Sequence, residues 1–445
     1  MTMRPSVQIA LTLVCVCLAS APAASTAAAA PLGLDDQTTL GSGQAVTPAA
    51  AAGDDGTIAV TWDGPLGMFA TTRRAGGSWR AVQNLGGTAG RTPQVAVTPQ
   101  GNAVTAWADF DGVVRAAVAG RGRPFGWAAD IGRARLDIAA GLRVGALADG
   151  RVLLLWADAP LPRRISARRA TNPGALSYVI WTPGRGFSHA RRVGETGTGP
   201  ALAAARGGGA TLAWLSAGRM RVATLAGGTR TPDRAHTVGL AAGRRALLAR
   251  SADGVLVGAW VARGEHRLMT RELGAGASPA AALAFPAAAG PITDVQFAAG
   301  SAGRMVAGAQ TAIVRGATTT WLAGGSLGAG WPAPTVLGAP ARYQAIRTPA
   351  AGTLADGTPM LVWGRPDAAA PRSADLVAAG FDGASLDPDA AGVIAPGLTS
   401  YAVTGIDVVV ASGATRTVVA WPAQSAPAGL AGARYSGLGV AVGER

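Results

Sequence analysis

The chain contains no lysine: all 39 of its Lys and Arg residues are arginine. Cysteine is almost as scarce. Cys15 and Cys17 are the only two, so the rest of the chain cannot use a thiol nucleophile, a disulfide or a cysteine-ligated metal. Past the first thirty residues, no apolar run reaches the roughly 18–20 residues of a spanning helix without meeting Gly, Pro or a charge. With 64 Gly and 28 Pro among 445 residues, long helices of any kind are disfavoured. There is no P-loop, no G-x-S-x-G and no Rossmann fingerprint in a strand-to-helix context. The three histidines (His189, His236 and His266) share no spacing, and Asp109-Phe110-Asp111-Gly112 lacks the further carboxylates calcium requires. That tetrapeptide reads as a turn. No metal or other cofactor is expected.

What is present is apolar and basic. Hydrophobic residues make up 49% and charged residues 14%, with a mean hydropathy of +0.26. The apolar excess must therefore be buried in many short pieces. The formal charge of +14 comes from scattered arginines, as a GC-rich coding bias produces. An anionic partner is the alternative reading. Arg4 is followed by the apolar core Ile9 to Ala19 and by small residues including Ala21-Pro22-Ala23. This order reads as a secretory signal peptide over residues 1–30. Neither cysteine carries a lipoprotein signature. The expectation is an exported chain, at the cell surface or outside it, with residues 31–445 forming one domain and no membrane span once the leader is removed.

A repeat fixes the expected architecture. A Gly stands six residues before a Trp at Gly56/Trp62, Gly101/Trp107, Gly150/Trp156, Gly208/Trp214, Gly254/Trp260 and Gly357/Trp363. Two units are degenerate: one around Gly303 has Ala309 at the Trp position, and one has Gly413 eight residues before Trp421. Asp-Gly pairs at Asp55, Asp149, Asp253 and Asp356 supply hairpin turns that need positive φ. A short apolar segment precedes each turn, a strand such as VLLLW follows it, and third and fourth segments follow in several units. VLLLW is apolar on both faces, as a strand buried on both sides would be. Four short strands per unit predict an all-β fold, a β-propeller with eight blades, or seven if the unit at Gly303 merges with a neighbour. The N-terminal segment QTTLG (Gln37 to Gly41) resembles the end of a fourth strand and is expected to complete the last blade. The periodic residues Trp62, Trp107, Trp156, Trp214, Trp260, Trp363 and Trp421 read as packing anchors of the blades, not as ligand platforms.

The pattern resembles secreted bacterial propellers of the sialidase-like (BNR, Asp-box) type. The nearest match to their S-x-D-x-G-x-x-W box is TTRRAGGSW, with Thr72, Gly76 and Trp79 in place but Arg74 where the Asp belongs. A working sialidase of that kind implies three Arg on one carboxylate, a Tyr paired with a Glu, and an acidic Asp. The chain has only Tyr178, Tyr343, Tyr401 and Tyr435, and only Glu195, Glu265, Glu272 and Glu444. The arginines Arg143, Arg206, Arg250 and Arg347 sit at different offsets from their turns. No catalytic residue is identified. GGSWRAVQNLGG and LADGRVLLLW are also similar in style to propeller lectins. That resemblance implies sugar sites in grooves between blades, built from aromatics with Arg or Glu.

The gap after Trp156 holds DAPLPRRISARRATNPG, with Arg163, Arg164, Arg168 and Arg169 close together. It reads first as a solvated insertion, and it is also the candidate site for an anionic glycan or cell-wall polymer. The function expected is that of a monomeric, non-catalytic binding or scaffold module for glycans or cell-envelope polymers, with no nucleic-acid partner. A sialidase-like glycoside hydrolase is the alternative.

Overall fold

The computed structural model describes residues 32–444 apart from breaks at 35, 42–46, 65, 88–92, 135–140, 159–173, 206, 265, 275–278, 313–317, 338–347, 367–372, 385, 400–407 and 426–433. The leader and Arg163, Arg164, Arg168 and Arg169 lie outside the described residues. So do Arg206, Arg347, Tyr343, Tyr401 and Glu265.

Antiparallel strands dominate, and the described residues include no α-helix. The first strand, β1 (Asp36–Leu40), pairs with the last of the chain. One sheet holds β2 (Pro48–Ala52), β3 (Ile58–Gly64), β4 (Gly67–Arg73) and β5 (Gln83–Gly86) in order. The next holds β6 (Gln94–Val97), β7 (Ala103–Ala108), β8 (Val113–Ala119) and β9 (Ala129–Arg133). A larger sheet runs through β10 (Arg143–Ala146), β11 (Val152–Ala157), β12 (Gly174–Thr182), β14 (Arg191–Ala204), β15 (Ala210–Ser216), β16 (Arg219–Leu225) and β17 (His236–Leu240). The short β13 (Gly186–Phe187) pairs with β12 beside it.

Three four-stranded sheets follow. They are β18 (Ala242–Arg250), β19 (Leu256–Val261), β20 (Arg267–Glu272) and β21 (Ala281–Ala284); β22 (Ile292–Ala299), β23 (Arg304–Ala312), β24 (Thr318–Ser326) and β25 (Thr335–Val336); and β26 (Ala350–Thr353), β27 (Pro359–Pro366), β28 (Ser373–Gly380) and β29 (Gly392–Thr399). The last sheet combines β30 (Val409–Ser412), β31 (Arg416–Ser425) and β32 (Arg434–Glu444) with β1. There Asp36 stands opposite Val442 and Leu40 opposite Leu438. The strands β2, β6, β10, β14, β18, β22, β26 and β30 neighbour one another in a cycle, with β30 meeting β2.

The repeated turn has a simple cause. In Leu147-Ala148-Asp149-Gly150, Gly150 takes φ +85°, which only Gly adopts without strain. Leu147 N–H donates to Arg151 O at 2.7 Å, and Gly150 N–H returns to Leu147 O at 2.9 Å. Leu354 to Thr358 repeats both bonds at 2.7 and 2.9 Å. The Asp side chain closes the turn by accepting the N–H two residues on, in Thr57, Arg151 and Thr358 alike.

Trp62, Trp107, Trp156, Trp214, Trp260, Trp363 and Trp421 are all buried in the second strand of their units. A glycine from the preceding unit's outer strand faces several of these rings. Gly41, Gly87, Gly132, Gly197 and Gly239 lie against Trp62, Trp107, Trp156, Trp214 and Trp260 respectively, and a Cβ on any of them would press into the indole. Each of these five seams is thus closed by a large flat ring against bare backbone, a dense packing that tolerates little added volume. The unit without a second-strand Trp keeps its ring by another route. Ala309 stands across from Trp321 on the third strand, whose Nε1 donates to Thr311 Oγ1 at 3.1 Å. Phe285 meets that ring edge-on, with centroids 5.9 Å apart.

Asp63, at the end of β3, is buried and accepts Thr47 N–H at 2.8 Å. Burial raises its pKa, and backbone hydrogen bonds from Thr47 and its own N–H oppose that only in part. A raised folded-state pKa means stability present at low pH is lost as pH rises through that pKa. Asp63→Asn keeps the acceptor and removes the charge. It is expected to raise the melting temperature at pH 7, with the gain closing near the ordinary carboxylate pKa of roughly 4; melts across pH check it.

Candidate functional sites at the seams and the axial channel

The third strand decides what stands beside each buried Trp. Opposite Trp62, Trp156, Trp260, Trp363 and Trp421 are Phe69, Ser177, Met269, Val377 and Gly439. Opposite Trp107 and Trp214, however, are Arg115 and Arg221. These two seams also carry acids. Arg115 Nε donates to Asp130 Oδ1 on β9 at 3.0 Å, and its Nη2 lies 3.4 Å from Asp109 Oδ2. Arg221 grips Glu195 with two bonds, Nη2 to Oε1 at 2.6 Å and Nε to Oε2 at 3.1 Å. It also donates to Thr237 Oγ1 at 2.8 Å and Ala235 O at 2.9 Å.

The indole N–H groups of these seams differ as well. Trp156 Nε1 donates to Arg133 O at 2.8 Å and Trp260 Nε1 to Leu240 O at 2.9 Å. Trp107 and Trp214 are fully buried, yet neither Nε1 has a partner among the described residues. A buried donor without an acceptor costs about 1–3 kcal/mol and calls for an explanation. In the first seam, Trp107 Nε1 and Arg115 Nη1 face the same glycine, Gly87. Hydrogen bonding to Glu195 raises the Arg221 pKa, more than burial lowers it. A charged fork held by a carboxylate offers donors and acceptors side by side. Such a pair can engage two adjacent hydroxyls of a polyol at once.

A second feature is axial. A cavity of about 390 Å³ is lined by the first strands of six units, chiefly by small and apolar residues, with Asp54, Ser412 and Arg250 as its polar contributors. Arg250 spans to Ala204 O at 2.5 Å and Gly254 O at 2.8 Å. Toward the opposite ends of the same strands lie Arg143 and Arg245. Burial, and secondarily the Arg245 charge, lowers Arg143 to about 10, so it remains cationic at neutral pH. Arg245 is paired to Asp294, which also accepts from Thr348 Oγ1 at 2.6 Å.

The structure thus places Arg143 and Arg250 on first strands, but at different ends. Tyr178 is buried on a third strand and donates to Arg230 O. Glu272 and Glu444 lie on third strands, and Glu195 lies on the part of β14 that pairs with β12. Asp109 accepts from Asp111 and Val113 N–H at 3.0 and 2.9 Å, which makes the DFDG segment a closed turn. At the Asp-box-like segment the turn holds without its Asp: Gly77 N–H donates to Arg74 O at 3.1 Å, and Arg73 Nε donates to Gly77 O at 2.8 Å. Arg115 and Arg221 were not singled out by sequence. They stand eight residues after Trp107 and seven after Trp214, because the intervening hairpins differ in length. Alignment on the Trp alone blurs them.

No family model matches the chain, and no curated protein matches it. Among solved structures, it is similar to the BP39L lectin of Burkholderia pseudomallei at 14% identity and a TM-score of 0.54, over 79% of this chain and 100% of that one. It is also similar to a protein of unknown function from Dyadobacter fermentans at 12% identity and a TM-score of 0.42, over 92% and 98%. A third is the Aleuria aurantia lectin, a six-bladed β-propeller, at 12% identity and 0.39, over 66% and 97%. The Burkholderia lectin carries the fold comparison: this chain is all-β, built of repeated antiparallel sheets, and its fold is like that lectin's. No helix among the described residues is long and apolar enough to cross a membrane.

Proposed function

We propose that this protein is an exported, non-catalytic β-propeller of eight four-stranded blades that binds glycans in two grooves between blades. One observation carries the binding reading. Among the second-strand Trp residues, the two whose buried indole N–H lacks a partner among the described residues, Trp107 and Trp214, are the two with an Arg opposite and a carboxylate on that Arg; Trp79, after β4, carries the other buried indole N–H without one. The blade count rests on the cycle of eight first strands, with β14 serving two units. Closure by the N-terminal segment rests on the pairing of β1 with β32. Export rests on the leader-like residues 1–30, and the likeness to the Burkholderia lectin favours sugar as the ligand class. A hydrolase is disfavoured by the interior position of Tyr178, and Glu272 and Glu444 lie on third strands while Glu195 is held by Arg221.

Wild type, Arg115→Ala, Arg221→Ala and the double variant on an array of neutral glycans test this. Each single change is expected to weaken binding about 10-fold at its own seam, the worth of a charge-assisted hydrogen bond, and the double change to abolish it. Unchanged binding in the double variant would rule the grooves out, and turnover of fluorogenic sialosides would favour the hydrolase.

A further inference from the structure

Four arginines crowd the outer rim where the first two sheets meet. Arg74 and Arg80 follow β4, and Arg121 and Arg123 lie in the turn after β8; all four are exposed. Arg74 Nη2 donates to Arg121 O at 3.0 Å, and Arg80 Nη2 donates to Gly122 O. Gly122 has room only for its hydrogens, because the Arg74 guanidinium packs directly on it. The cations of one sheet are therefore pulled onto a turn of the next that already carries two more.

One carboxylate offsets this charge: Asp55 Oδ2 lies 3.3 Å from Arg121 Nε. Arg74, Arg80 and Arg123 have no carboxylate within ion-pair distance among the described residues. Exposed arginines without an acid among the described residues occur elsewhere, as at Arg185, Arg263 and Arg267, so what marks this rim is the crowding of four cations on one turn. Other arginines are paired. Arg73, Arg115, Arg151, Arg221, Arg245, Arg365 and Arg416 each hold an acid. Like charges gathered without counter-charge repel, and the arrangement gains most when an anion arrives.

The same segment ends on Trp127, whose surface is 99% exposed. Large aromatic residues are seldom left open in this way unless something covers them. Two residues earlier, Phe125 is buried and is clamped by Gln83, which donates to Phe125 O at 3.3 Å and accepts Phe125 N–H at 2.7 Å. The indole is therefore presented from a fixed base and not from a loose loop.

We propose that this rim is a docking surface for an acidic polysaccharide, a chain bearing sulfate or carboxylate groups. The planar forks of Arg74, Arg80 and Arg123 take the acidic groups two oxygens at a time, and the flat face of Trp127 takes a sugar ring between them. The choice of polysaccharide rests on the glycan-binding reading above, whereas the location rests on the charges and the open indole alone. None of its residues belongs to the Arg163–Arg169 segment, which lies outside the described residues.

Heparin serves as the probe, with the full chain. Arg74→Gln/Arg80→Gln/Arg123→Gln is compared with Arg185→Gln/Arg263→Gln/Arg267→Gln, a control that removes equal charge from exposed sites elsewhere. The rim triple is expected to weaken heparin binding about 10- to 100-fold in 0.15 M salt, since each contact is charge-assisted and partly screened. The control should shift it less than about 2-fold, consistent with screening beyond a Debye length. Trp127→Ala should weaken binding several-fold without changing the salt dependence. Equal losses in both triples would overturn the proposal, as would duplex DNA binding as tightly with the same dependence on the rim. Should the triple fail to fold, Arg123→Gln/Trp127→Ala tests the same surface, because among the described residues neither side chain makes a bond between sheets. Neutral-glycan binding by the rim variants keeps the two sites apart: it is retained if only the rim is lost, and it fails independently if the grooves are wrong.

Discussion

Deleting residues 31–43 is expected to lower the unfolding free energy by on the order of 5 kcal/mol, read from denaturant melts of the two chains. Leu34 and Leu40 are both buried. Leu34 packs with Met360, Val362, Leu376 and Trp421, and Leu40 with Ile58, Val60 and Trp62. Burial of one such side chain stabilises by roughly 1.5–3 kcal/mol. The deletion also removes Gly41 from the Trp62 ring and strips β32 of its partner from Leu438 to Val442. An open strand edge of that kind invites pairing with other molecules, so the shortened chain should also aggregate at lower temperature. A melt unchanged by the deletion would mean that the last sheet does not depend on this strand.

The second large effect lies at the seam of Trp156. Trp156→Ala is expected to cost about 3–5 kcal/mol, the usual range for an aromatic ring removed from a core. The ring is fully buried, and its Nε1 also reaches Asp158 Oδ1 at 2.6 Å. Gly132→Val should cost roughly 1–3 kcal/mol or more, because the new methyl groups meet that indole with nowhere to go. The combination is the sharper measurement. If ring and glycine form one lock, Gly132→Val should cost much less once Trp156 is Ala, and the double variant should fall well short of the sum. Additive costs would mean that the two positions fail for unrelated reasons.

Much of the strand order was legible because it rests on local chemistry. Asp-Gly forces the turn, and the apolar run to the Trp that follows marks a strand buried on both faces. The outer strands were less legible. β25 has only two residues and β5 four, too few and too exposed to leave a hydrophobic signature. Trp321 could not be recognised as the substitute for the missing second-strand Trp, since its place opposite Ala309 is defined only by register. The same holds for Arg115 and Arg221. They become a site only when a partner strand brings Asp130 or Glu195 to them, 15 and 26 residues away. The glycines facing the Trp rings were visible as frequent Leu-Gly endings, but not as contacts. Gly87 and Gly197, not Gly86 and Gly194, are the ones that touch.

β14 sets one boundary apart from the others. Its 14 residues, Arg191–Ala204, form the outer strand of one unit and then the first strand of the next, bending at the bulge between Thr198 and Ala201. Between β21 and β22, residues 285–291 form a connecting segment, and even β17 and β18 are separated by Ala241. Within β14 no such segment exists. Opening the third unit pulls on the hydrogen bonds of the fourth, so the two share one cooperative fate in local unfolding. They form a splint across that boundary, and Glu195 rides on it beside Arg221.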